Sequence, residues 1–205
     1  MKKQFVNGLA LLLLTVLLHG CMGIEAFSAE DAAIKFGTEN MREGAVIDQE
    51  SIIIRQVREI DESTKYVLFS FDRQMNNRPE HCLMLYETHR NPLGMWYSGS
   101  GGGGCGGPVE GAAEEIPAID SGGGTSMSSD NPLGTSQAYG VVNDDTIVKV
   151  RVTWADGAVF DADLVNSSYL IMRDGQFEST TIEGLDADGA VVERVDWGRP
   201  APGKE

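Results

Sequence analysis

Residues 98–107 read SGSGGGGCGG, the stretch that most narrows what this chain can fold into. Glycine has no Cβ, loses the most chain entropy on ordering and offers a sheet nothing to pack. Such a run is a spacer unless something pins it, and Cys105 inside it is one of three cysteines in 205 residues. From Gly99 to about Gln137 the chain stays rich in Gly, Ser, Pro and small polar residues, with AAEEIPAI (residues 112–119) its one mildly apolar island. A stretch this long without periodicity is expected to be linker, so residues 107–137 are assigned as a flexible Gly/Ser linker between two parts. It is not a phosphate loop: that motif needs a lysine, and none occurs between Tyr66 and Val148.

Ahead of the glycines, Ser28 suits an N-cap, and Ala32, Ala33, Phe36 and Met41 recur at roughly helical spacing through Ala29–Arg42. Strand candidates follow at Ser51–Arg58, Lys65–Phe71, Cys82–Thr88 and Met95–Ser98. The segments between them are polar or carry turn chemistry: Asp61–Thr64, Gln74–Glu80 and His89–Gly94. Spacing this close implies an antiparallel meander, because parallel strands need long crossovers. Residues 28–106 are therefore expected to be a helix packed on an antiparallel sheet, an α+β layer.

Beyond the linker, Ile147–Trp154 alternates cleanly, Ala155–Ala158 holds an Asp-Gly turn, and Val159–Val165 is the hairpin partner. Ser168–Met172, Thr180–Leu185 and Ala190–Val195 continue at about ten-residue spacing, so residues 138–197 are expected to form a small all-β, sandwich-like module. Residues 198–205 are expected to be a disordered tail. Asn91-Pro92-Leu93-Gly94 recurs at Asn131-Pro132-Leu133-Gly134 with diverging flanks, which is repeated turn chemistry and not a duplicated unit.

The chain opens MKKQFVNGLALLLLTVLLHG: a positive Lys2-Lys3, an apolar run from Phe5 to Leu18, and small Gly20 before Cys21. Residues 1–20 read as a secretory signal peptide, and the run falls short of the roughly 20 apolar residues that span a bilayer. Leu18-His19-Gly20-Cys21 resembles the lipobox of bacterial lipoproteins, with His19 departing from the usual small or aliphatic residue. The resemblance implies a diacylglyceryl group on the Cys21 thiol, cleavage before it, and a lipidated tether over residues 21–27. Several acyl chains, at about 0.8 kcal/mol per buried CH₂, hold stably where one does not. The implied location is the extracytoplasmic face of a cell membrane or outer membrane. Met22 replaces the aspartate that favours inner-membrane retention in Gram-negative lipoproteins. The C-terminal part is also similar to uncharacterised secreted lipoproteins of Gram-positive bacteria. It shares Tyr139–Asp144, the Val152–Gly157 hairpin, Ser168-Tyr169-Leu170 and Leu185–Gly189. That resemblance implies fold and location but no activity.

With Cys21 lipidated, Cys82 and Cys105 are the remaining thiols in an oxidising compartment, and such a pair favours a disulfide. A hairpin turning about Pro92 and Leu93 pairs positions that sum to about 185, so Cys82 would face residue 103, two short of Cys105. Glycine can bend across that gap. Cys105 is expected to pin the end of the first part, with the linker starting after it.

The formal charge is −15, and losing Lys2 and Lys3 makes it more negative. That argues against nucleic acid as a partner and keeps the body away from anionic headgroups. His81 and His89 flank the third strand candidate, roughly 25 Å apart at strand rise, too far to share a metal. No zinc spacing accompanies them, so neither a metal site nor a cofactor is assigned. No Gly-x-Ser-x-Gly elbow occurs, and adjacent His81 and Cys82 point to opposite faces, so no catalytic residue is assigned. Asp186-Ala187-Asp188-Gly189 opens like a calcium loop, but its twelfth position is Trp197, and a hairpin turn is expected. Trp96, Tyr97, Trp154 and Tyr169 are candidate stacking residues for a sugar, although aromatics within strands more often belong to a core.

The expected function is a membrane-anchored, non-enzymatic binding or interaction module of the cell envelope, its partner an envelope protein or glycan. The alternatives are an envelope enzyme, or an inhibitor of one, with a pocket in the helix–sheet part, and a structural surface protein. An apolar cleft holding a desolvated carboxylate or histidine favours an enzyme. An exposed sheet edge favours binding.

Overall fold

The computed structural model describes residues 25–41, 44–106, 117–126 and 133–197. The expected signal peptide, Cys21, the expected tail and parts of the expected linker lie outside the described residues. The helix α1 (Ala29–Glu39) begins at Ser28, whose Oγ accepts a hydrogen bond from the Asp31 N–H at 3.0 Å. Just before it, Glu25–Ala26 (β1) pairs with Tyr97 and Trp96, so the end of the expected tether is a short edge strand.

The first sheet contains β1, β2 (Ala45–Ile47), β3 (Ile53–Asp61), β4 (Thr64–Met75), β5 (Arg78–Arg90) and β6 (Trp96–Cys105). Its order is β1-β6-β5-β4-β2, with β3 also on β4. A second sheet runs β11-β8-β7, from Ser168–Asp174, Thr135–Val142 and Ile119–Ser126. A third runs β10-β9-β12-β13, from Val159–Asp163, Lys149–Trp154, Ser179–Leu185 and Val191–Asp196. All pairings are antiparallel.

The chain is thus predominantly β, which corrects the α+β expectation. The helix is one short element on one face of one sheet. The opposite face of that sheet is covered by another sheet. The expected Gly/Ser linker supplies a strand of its own: β7 pairs with β8 along its whole length, from Ile119↔Val142 to Ser126↔Thr135. A lone polar, glycine-rich segment cannot bury enough to order itself, but a ladder partner satisfies its backbone. The expected all-β module likewise starts earlier, at Thr135, and draws in β7.

Two-residue periodicity builds three cores. On the helix side, Val67, Phe69 and Phe71 of β4 and Met84 and Tyr86 of β5 pack on Ala29, Ala32 and Ala33. On the other side, Tyr66, Leu68, Leu83 and Leu85 meet Tyr139, Val141 and Leu170 of the second sheet. That sheet's far face, with Ala138, Val142, Tyr169 and Ile171, packs on Val150, Val152, Trp154 and Ile182 of the third. Strands buried on both faces read as continuous apolar runs, as Tyr66–Phe71 and Cys82–Tyr86 do.

The segment read as a polar loop at Gln74–Glu80 is mostly strand. Asn76 and Asn77, at φ of 53° and 62°, close a two-residue turn between Met75 and Arg78. Cys82 and Cys105 are direct partners in the β5–β6 ladder, Cα–Cα 4.0 Å, with their sulfurs at disulfide distance. Two one-residue steps remove the expected offset. The Asn91–Met95 turn sets Arg90 opposite Trp96, and a bulge at Gly99 moves the register from Thr88↔Ser98 to Glu87↔Ser100.

Two changes test this packing. Gly37 of α1 sits where an added Cβ would lie 2.8 Å from both Phe69 and Tyr86. Gly→Ala inside a helix ordinarily gains about 1 kcal/mol. Here Gly37→Ala is expected to lose roughly 1–3 kcal/mol by overpacking, read from urea unfolding. Joint replacement of Cys82 and Cys105 by Ala is expected to cost about 3 kcal/mol by the loop-entropy relation, measured the same way against the oxidised protein.

Candidate functional site at the seam between two sheets

The first and second sheets enclose a flattened half-barrel with a seam on each side. On one side β3 is stitched to β11 and its preceding turn: Arg58 Nη1 donates to the Leu170 carbonyl at 3.2 Å, and Asn166 Nδ2 donates to the Arg55 carbonyl at 3.4 Å. On the other side β6 faces β7 across a slit of about 460 Å³ with Leu85, Gln137, Tyr139 and Trp197 in its walls. Beyond Tyr97, β6 pairs only with β5 among the described residues, and β7 pairs only with β8. Among the described residues both strands therefore carry an unpaired main-chain edge, and such edges are templates for another chain.

Glycines line both edges, Gly101–Gly104 and Gly122–Gly124, and they divide into two sets. A Cβ at Gly101 or Gly103 would strike β5, and one at Gly122 would lie 2.6 Å from the Tyr139 ring. At Gly102, Gly104 and Gly124 a Cβ would meet nothing among the described residues within 4 Å, and none of these three has a left-handed φ. Glycine inside a strand costs roughly 0.5–1 kcal/mol relative to alanine. No contact among the described residues requires this second set, and strand glycines occur at bulges, at tight bends and where another backbone or a ligand approaches closely.

The slit opens at one end into a cleft of about 750 Å³ that includes Arg55, Asp72, His81, Asp120 and Tyr139. Asp72 and His81 are cross-strand partners, and the His81 Nδ1–H donates to Asp72 Oδ1 at 2.6 Å. The other ring nitrogen is left for the cleft. Arg55 donates from Nε to Ser70 Oγ at 2.9 Å; burial lowers its pKa and the nearby Asp72 charge opposes this. Burial pushes the Asp120 carboxyl above the usual carboxylate range, while His81 and the Ser121 backbone N–H pull it back. No ion pair reaches Asp120 among the described residues. The Tyr139 hydroxyl, pushed up to about 12 chiefly by burial, stays protonated and donates to the Gly102 carbonyl at 3.4 Å.

At the far end lies a cleft of about 650 Å³ with Tyr66, Glu87, His89, Tyr97 and Arg173 in its walls. Ser100 Oγ donates to Glu87 Oε2 at 2.9 Å, and Gln137 Nε2 donates to Ser126 Oγ at 2.8 Å.

Of the aromatics singled out from the sequence, only Tyr97 reaches a cleft, beside His89. Trp96 is 7% exposed in the helix-side core, and Trp154 and Tyr169, at 1% and 0%, fill the core between the second and third sheets. Their faces are unavailable for stacking on a ligand. The cleft residues Asp72 and Asp120 were missed. Asp72 follows the strand expected to end at Phe71, and Asp120 falls in the stretch assigned to linker. Neither carries a local signal; pairing across strands gathers them. The Asp186 segment is a hairpin turn, its carboxylate accepting from the Asp188 and Ala190 N–H groups. Among the described residues no three His, Cys, Asp or Glu side chains converge as a metal site.

An Asp-held imidazole and a desolvated carboxylate can bind a cation or exchange protons. No serine, threonine or cysteine is hydrogen-bonded to His81 among the described residues to serve as a nucleophile. A carboxyl whose folded pKa is raised binds more protons folded than unfolded across the window between its two pKa values. Stability therefore falls as pH rises through that window. Asp120→Asn is expected to melt higher than the wild type at pH 7, the gap closing as pH drops below the ordinary carboxylate range. Melting temperature against pH checks this, and a gap independent of pH would remove ionisation as the cause.

The sequence matches no protein-family model and no curated protein, and no solved structure matches the chain, so the role of the seam has to follow from its own geometry.

Proposed function

We propose that this chain is an extracytoplasmic lipoprotein of a bacterial envelope, anchored through Cys21, that works by binding a partner along the β6–β7 seam and not by catalysis. The anchor rests on Lys2-Lys3, the apolar Phe5–Leu18 run and Leu18-His19-Gly20-Cys21. No helix among the described residues is long and apolar enough to cross a membrane. The binding role rests on one observation above all: two free strand edges face each other with glycines whose missing side chains leave open space. The desolvated Asp120 and the held His81 meet one criterion for an enzyme, but although Ser51 and Ser121 line the same cleft, neither hydroxyl is hydrogen-bonded to His81 among the described residues.

Two measurements test this. Cys21→Ala should abolish metabolic labelling with a fatty acid, and unchanged labelling would sink the anchor. Gly104→Val should fill the slit while melting no lower than the wild type, because valine favours strands and meets open space. Immobilised wild type should retain protein, peptide or glycan from envelope extract that the variant passes. Equal retention would defeat the seam as the binding site.

A further inference from the structure

The seam has a chemistry of its own, and it selects among ligand classes. Trp96, Trp154 and Tyr169 are buried and Tyr139 is only 5% exposed, which leaves the half-buried Trp197 in the slit wall and Tyr97 in the far cleft as the aromatics a glycan could reach. What the slit also offers is main chain: glycines line both walls, and among the described residues the β6 and β7 edges there have no ladder partner, with Tyr139 hydrogen-bonded to the Gly102 carbonyl between them. An extended polypeptide repeats the same groups at the same spacing, the basis of recognition by strand addition.

One end of the slit also has a charge preference. Its cleft holds three carboxylates, Glu50, Asp72 and Asp120, against one guanidinium, Arg55, and His81. Arg55 Nε is hydrogen-bonded to Ser70 and His81 to Asp72, and no ion pair reaches Asp120 among the described residues, although the His81 charge lies near enough to favour its ionised form. Behind it, on the other face of β7, the fully buried Tyr169 hydroxyl lies near Ser121 and Asp120 with no hydrogen-bond partner of acceptable geometry. The formal charge of −15 adds a field that steers cations toward the protein.

We infer that the seam takes an extended basic peptide, its main chain against the β6 edge at Gly102–Gly104 and one cationic group against Asp120. This rests on the seam being the binding site and specifies what fills it. The arrangement gives a use to Gly102, Gly104 and Gly124, where a Cβ would meet nothing among the described residues within 4 Å. It also gives a partner to a half-buried carboxylate that no ion pair reaches among the described residues: the ligand supplies the cation.

Affinity selection with the full-length protein tests it. Three probes are passed over immobilised wild type, Gly104→Val and Asp120→Asn: random ten-residue peptides, a matched pool with alternate backbone nitrogens methylated, and N-acetylglucosamine oligosaccharides. Wild type should retain peptides at least tenfold over Gly104→Val, with Lys or Arg enriched at one position. Asp120→Asn should lose that enrichment, and the methylated pool should pass through. Both variants should melt no lower than the wild type at pH 7, so a lost signal is not unfolding. Retention of the methylated pool, enrichment that survives Asp120→Asn, or retention by Gly104→Val would each overturn the inference. Retained oligosaccharide with unretained peptide would overturn it and leave binding at the seam standing. If neither these probes nor envelope extract distinguishes wild type from Gly104→Val, both fall.

Discussion

Everything in this fold leans on β4 and β5 being buried on both faces. Val67, Phe69 and Phe71 must be covered on one side, and Tyr66 and Leu68 on the other. A single 11-residue helix can cover only the first set. The second set needs another apolar surface, and β8, buried along almost its whole length, provides it. Because β8 is also apolar on its far face, it needs a third sheet in turn. Truncating a buried leucine such as Leu68 would cost roughly 2–5 kcal/mol, and removing the β8 layer would expose a whole set of such residues. The two sequence halves therefore fold as stacked layers and not as beads on a string.

That stacking creates the seam. Sheets packed face to face leave edges on both sides, and here one side is closed by hydrogen bonds from Arg58 and Asn166 while the other is left open between glycines among the described residues. Cys82–Cys105 ties down the end of β6 beside the acidic cleft, where an unrestrained run of glycines would fray. Asp120 lies in the same cleft, where burial disfavours its ionised form.

How much was legible depends on how local each determinant was. The Ser28 cap, the alternation of Lys149–Trp154 and the Asp-Gly and Asp186 turns were readable because each is decided within a few residues. The pairing of Cys82 with Cys105 was readable from cysteine count, but its register was not. It depends on the length of the Asn91–Met95 turn and on the extra residue Gly99, which no propensity reveals. Asn76-Asn77 hid a tight turn inside what looked like a loop. β7 was invisible for a stronger reason: IDSGGGTS has no apolar period, and only its partner β8 makes it a strand.

The sequence by itself determined the covalent and short-range facts: the N-terminal pattern ending at Cys21, the excess of negative charge, the thiols available to pair, and most strands and turns. These follow from composition and from interactions within one turn or hairpin. The tertiary structure alone decided that the chain is three stacked sheets with one helix, that most of the conspicuous aromatics are core, and that Asp72, His81 and Asp120 share one cleft. Those outcomes depend on which faces find each other across the chain, and face-to-face burial between distant strands is not written in any local pattern.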